Sequence, residues 1–179
     1  MFNIKRAGAA ALATAALAGT SVVAASPASA LTYKCKTSEK SIDDPSYSGP
    51  WADNWDITVK LCSARSGSTV HAYASVSWDG PVYAQVDNTG IFNDAYFKLQ
   101  VKKSVSGTDP VVKSKNFGGI EAKLENSSAN ANYNGSYKTS TISYAVGGTR
   151  GLADGELRLD WANDGKGHQT HGYSASPTV

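Results

Sequence analysis

The chain has 179 residues, with 17 Lys+Arg against 15 Asp+Glu, 41% hydrophobic residues and two cysteines. Setting aside Lys5 and Arg6, which fall in a leader-like segment, leaves 15 charges of each sign and no basic run longer than Lys102-Lys103. That balance argues against nucleic-acid binding, which depends on clustered cationic charge.

Residues 1–30 have the tripartite form of a secretory signal peptide. Lys5 and Arg6 open it, residues 7–25 carry no charge, Pro27 breaks the apolar run, and Ala28-Ser29-Ala30 offers small side chains to a signal peptidase. Cleavage is expected after Ala30, giving a secreted, extracellular product with no membrane association. The run is too mildly apolar to serve as an anchor. Thr32-Tyr33-Lys34 before Cys35 does not suit a lipoprotein.

Residues 31–54 read as an extended N-terminal arm, with Asp43-Asp44-Pro45, Ser48-Gly49-Pro50 and few aliphatic side chains. Prolines favour extended or turn conformations there. Cys35 and Cys62, an even count in an exported chain, are expected to form a disulfide. Closing that loop stabilises the fold by about 3–4 kcal/mol. With roughly 150 residues available for a core, the bridge supplements packing.

Residues 55–179 read as a β domain. Period-two alternation runs through Ile57-Val59-Leu61, Val70 to Trp78, Ala95 to Val101, Ile120-Ala122-Leu124 and Leu157-Leu159-Trp161. One dry face and one wet face is the mark of a half-buried antiparallel strand. Residues 136–146 suggest a sixth strand, rich in Thr, Tyr, Ile and Val. Ile120, Lys123 and Leu124 also fit a 3.6 period, so residues 119–126 are the best helical candidate, with strand preferred. Residues 126–137 read as a polar exposed loop. Turn signals separate the runs, among them Ser66-Gly67, Asn88-Thr89-Gly90, Ser106-Gly107, Asn134-Gly135, Gly147-Gly148 and Asp164-Gly165. The expected class is all-β: an antiparallel β-sandwich or barrel-like domain with the arm and one disulfide.

Chemistry-bearing patterns are sparse. Asp160 to Gly167 resembles part of a calcium loop, but Ala162 and His171 stand where oxygen ligands belong, and a hairpin turn explains Asn163-Asp164-Gly165 without an ion. His168 and His171 form His-x-x-His, with His71 elsewhere, an incomplete set for zinc. No Gly-x-Ser-x-Gly occurs after the leader. Glu121 with Glu125, or Glu156 with Asp160, could supply the two carboxylates of a glycosidase, yet each pair also fits a solvated strand face. No catalytic residue, cofactor or metal is expected. Tyr73, Tyr83, Tyr96, Tyr133, Tyr137 and Tyr173 fall at wet-face or loop positions, where rings can stack on sugars or anchor proteins. Tyr47, Trp51 and Trp55 at the far end of the arm are the expected partner-binding residues.

The leader, together with residues 60–81 (KLCSARSGSTVHAYASVSWDGP) and 136–165 (SYKTSTISYAVGGTRGLADGELRLDWANDG), resembles small secreted proteins of streptomycetes. In size, export and β character the chain is similar to the adaptor, or stalk, subunit of streptomycete umbrella toxin particles. That resemblance implies an N-terminal arm docked into a trypsin-like, lectin-bearing subunit and a body held by a large ring-forming subunit. The leading expectation is therefore a secreted, non-enzymatic adaptor with secreted protein partners. Its alternatives are a carbohydrate-binding module and a secreted hydrolase inhibitor.

Overall fold

The computed structural model describes residues 30–81, 90–126, 134–162 and 164–179. Residues 1–29 and the segments with Tyr83, Asn88-Thr89, Tyr133 and Asn163 lie outside the described residues.

The strongest alternation folds as expected. β2 (Asn54–Ser66) and β3 (Thr69–Asp79) form a hairpin in register from Asp56↔Asp79 to Ser66↔Thr69. The two-residue turn between them places Gly67 at φ +55°, a left-handed conformation that glycine takes at no steric cost. β1 (Lys34–Asp43) pairs with the other side of β2, and β6 (Asn134–Lys138) and β7 (Ile142–Ala145) both pair with β3. This is sheet A. Sheet B has the order β5-β4-β8-β9, from β4 (Phe92–Lys103), β5 (Val111–Phe117), β8 (Gly151–Trp161) and β9 (Gln169–Gly172). Among the described residues every pairing is antiparallel.

The inner faces meet in one core. Ile57, Val59, Leu61, Val70, Ala72, Ala74 and Val76 from sheet A pack with Ala95, Phe97, Leu99, Leu157, Leu159 and Trp161 from sheet B. Each large apolar side chain so buried stabilises the fold by roughly 1.5–3 kcal/mol. Gly155 lets the layers close. A Cβ there would stand 2.6 Å from the Phe97 ring and 3.2 Å from Leu61, so the glycine makes room for the ring.

Several elements differ from the sequence-based expectation. Most of the 31–54 arm is strand: β1 is hydrogen-bonded to β2 over its whole length, and residues 31–179 form one compact unit. Only Ile42 of β1 is buried, so backbone pairing and the disulfide hold the strand, and no apolar pattern announces it. Lys34, Lys36 and Lys40 lie opposite Ser63, Leu61 and Ile57, on the side of the ribbon turned toward sheet B, at its exposed rim. Residues 44–53 remain irregular.

The 120–124 strand is instead a 3₁₀ turn (Gly118–Ile120) leading into helix α1 (Glu121–Glu125). Ile120 and Leu124, four apart, bury one helical face, while Ala122 is exposed. The 136–146 strand splits into β6 and β7 at Thr139, a buried residue whose N–H donates to the Ala74 carbonyl at 3.0 Å and whose Oγ1 accepts from the Ala74 N–H at 2.9 Å. Asn134-Gly135 opens β6 and makes no turn. β5 and β9 carry too little alternation to be read in advance. Beyond β9 the chain stays against β8: the Tyr173, Ser176 and Val179 N–H groups donate to the carbonyls of Gly155, Ala153 and Gly151 at 3.2, 2.8 and 2.9 Å.

Candidate functional site

The disulfide lies where β1 and β2 bring Cys35 opposite Cys62, with Cα atoms 4.1 Å apart. It faces the outer side of sheet A, beside Tyr73.

The β1–β2 connection is a built loop. Buried Asp44 accepts hydrogen bonds at Oδ1 from the Ser46 N–H at 2.8 Å and the Ser46 hydroxyl at 2.7 Å, a side-chain-closed turn. The Tyr47 N–H donates to the Asp44 carbonyl at 3.2 Å, and the Tyr47 hydroxyl accepts from the Trp51 N–H at 3.3 Å. The Tyr47 ring lies over Gly49, where any Cβ would collide with it. This frame leaves Trp51 69% exposed. Trp55 is a correction. It is 2% exposed and sits against Phe92, ring centroids 6.0 Å apart, with Phe92 in turn 4.7 Å from Trp161. Its place in period with Ile57 and Val59 makes it core, so it cannot present a surface to a partner. Tyr47 and Trp51 remain.

The carboxylate pairs are committed elsewhere. β4 pairs with β5 only from Phe97 onward, which leaves earlier N–H groups on that edge without a strand partner. α1 covers them: Glu121 accepts from the Ala95 N–H at 2.9 Å and buried Glu125 from the Phe92 N–H at 3.2 Å. On the outer face of sheet B, Glu156 accepts from Arg158 at 2.7 Å and meets Lys98 at 3.3 Å. Partial burial pushes the Glu156 carboxyl up, but the hydrogen bonds and charges of Arg158 and Lys98 together outweigh it and hold the group below its ordinary value. Lys102 pairs with Asp154, and Asp94 with His168 at 2.8 Å. Asp160 accepts a long contact from Asn93 at 3.4 Å.

The residues of the calcium-like and His-x-x-His segments are not brought together. Asp164 accepts from the Lys166 N–H at 2.9 Å and from Gln169 at 3.2 Å, closing a turn with Gly165 and Gly167 at φ +65° and +66°. His168 engages Asp94 on the outer face of sheet B, and His71 lies beside Ser143 at 2.8 Å on sheet A. His171, opposite Leu157, turns toward the interior, where burial first and Lys40 second push its imidazole below the usual histidine value. Among the described residues no three His, Cys, Asp or Glu side chains are grouped to hold a metal ion. Tyr173 is also a correction, being buried at 8% exposure with its phenol pushed up by burial. Tyr73 stands edge-on to Tyr33 at 4.9 Å, and Tyr96 is tilted against His168 at 5.1 Å.

The outer face of sheet A carries what the sequence did not reveal, a shallow trough across β1, β2, β3 and β6. One depression of about 430 Å³ has Lys60, Lys138, Ser75 and Thr37 around it. It shares Thr58 and Ser77 with a second, of about 390 Å³, whose walls include Glu39, Asp56, Asp79 and Asn134. Among the described residues no helix is long and apolar enough to cross a membrane. Comparison with protein-family models, with curated proteins and with solved structures finds no match for the chain.

Proposed function

We propose that the protein is a secreted, non-enzymatic binding module that mediates protein–protein assembly, with the 44–53 loop as its docking element. The observation that carries this reading is Trp51, 69% exposed on a loop fixed by its own hydrogen bonds. A preorganised loop that offers a large ring to solvent loses little conformational freedom on binding, and tryptophan is among the strongest interface anchors. The engagement of Glu121, Glu125 and Glu156 in structural contacts supports a non-enzymatic role. The resemblance to adaptor subunits of extracellular toxin particles extends the proposal to assembly within an antagonistic particle. In that setting the loop takes over the docking role expected of a free arm.

The test is co-purification from the culture supernatant with the unaltered protein, Trp51→Ala and Tyr47→Ala. Trp51→Ala is expected to lose the partner by at least about tenfold while its thermal midpoint stays unchanged. A partner retained by Trp51→Ala removes the loop from the interface.

A further inference from the structure

We propose that the outer face of sheet A is a binding site for a short oligosaccharide that carries its acidic group at one end, independent of the Trp51 loop. The register makes the face a grid. Lys60, Ser75 and Lys138 stand side by side on β2, β3 and β6 in one cross-strand row. The next row is Thr58, Ser77 and Ser136, and the next Asp56, Asp79 and Asn134. Neighbouring strands lie about 4.8 Å apart and alternate residues on a strand about 6.8 Å apart. Two lysines therefore flank one hydroxyl at one end, hydroxyls floor the middle, and three carboxylates, Asp56, Asp79 and Glu39, stand toward the other end.

Each part has a matching chemistry. Two lysines around a serine hydroxyl are donors for a carboxylate or phosphate. Ionised carboxylates and an amide accept and donate hydrogen bonds to vicinal hydroxyls. The small Ser and Thr side chains keep the floor low enough for a ring to lie on it. Lys60 to Asp56 spans about 13–14 Å along the strand, which a lone anion leaves mostly empty and a short oligosaccharide fills. Among the described residues, none of the exposed large apolar side chains lines the trough, which disfavours a protein partner there. Among the described residues, Lys60, Lys138, Asp56, Asp79 and Glu39 enter no ion pair. The Lys138 ammonium is instead held over the Tyr73 ring, 4.5 Å from its centroid, just beyond the basic end of the trough.

Calorimetric titration and ¹H–¹⁵N NMR of the purified protein decide the matter. The probes are 3′-sialyllactose and 4-O-methylglucuronosyl-xylobiose, each with a single carboxylate at one end, neutral maltotriose and inorganic phosphate. At least one acidic sugar is expected to bind saturably and shift amides of β2, β3 and β6, with maltotriose and phosphate at least about tenfold weaker. Lys60→Ala should weaken the acidic sugar about tenfold, and Lys60→Ala with Lys138→Ala should abolish binding. Ser77→Tyr, which raises the floor, should also abolish it, and Trp51→Ala should leave it intact. Silence with both acidic sugars, or binding indifferent to Lys60→Ala, overturns the site. Maltotriose binding equally well overturns the anionic assignment, and phosphate binding equally well overturns the oligosaccharide.

Discussion

The two sheets share one core but treat their outer faces in opposite ways. On sheet B, long charged side chains interleave by sign, so Lys98, Glu156 and Arg158 satisfy one another and Lys102 satisfies Asp154. On sheet A the charges are sorted by sign, basic beside Ser75 and acidic one row beyond Ser77, around a floor of hydroxyls. Interleaved charge is spent within the fold. Sorted charge stays available to something else. Equal alternation in two sheets thus conceals a difference that only cross-strand neighbours reveal.

The contrast can be broken by experiment, and the largest effect belongs to the disulfide on the outer side of sheet A. Replacing Cys35 and Cys62 together with serine should lower stability by about 3–4 kcal/mol in urea unfolding. Amide exchange should quicken in β1 while β4 and β8 keep their protection, because Ile42 is the one residue of β1 buried in the core. Uniform loss of protection would mean that β1 is integral to both layers.

Glu156→Gln should cost about 1 kcal/mol or less, being a partly exposed group with two cationic partners. The pH dependence sharpens this. A carboxyl whose folded pKa is depressed adds stability above its unfolded value, near 4.3 for glutamate, and that stability is lost as pH falls through the folded value. Glu156→Gln should therefore narrow its deficit in acid, and a deficit that persists unchanged below that window would assign the effect to packing. Lys60→Ala and Asp56→Asn, on sheet A, should move stability by no more than about 0.5 kcal/mol. A loss as large as that of Glu156→Gln would show that the trough is held together by its charges and is not free to bind.

Legibility in the sequence followed burial. β2, β3, β4 and β8 are half-buried along their length, and a strand with one dry face must alternate. β5 exposes Lys113, Ser114, Lys115 and Asn116 alike, and β9 is four residues long, so neither has a pattern to read. At Ile120 and Leu124 both periods fit. The helix wins because β4 leaves N–H groups that Glu121 and Glu125 reach from it. Trp51 and Trp55 are the same residue type four positions apart. Only Trp55 falls in phase with Ile57, a signal present in the sequence but outweighed by its nearness to the loop. The trough was illegible for a different reason, since its residues come from four strands and converge only once the register is known.

The outer edge of β1 offers a row of backbone groups that a second chain could extend into a continuous ribbon. Any such ribbon stacked into a layered fibril would have to enclose the ammonium groups of Lys34, Lys36 and Lys40 on its packed side. Burying unpaired cations is costly, so these three side chains would oppose such stacking.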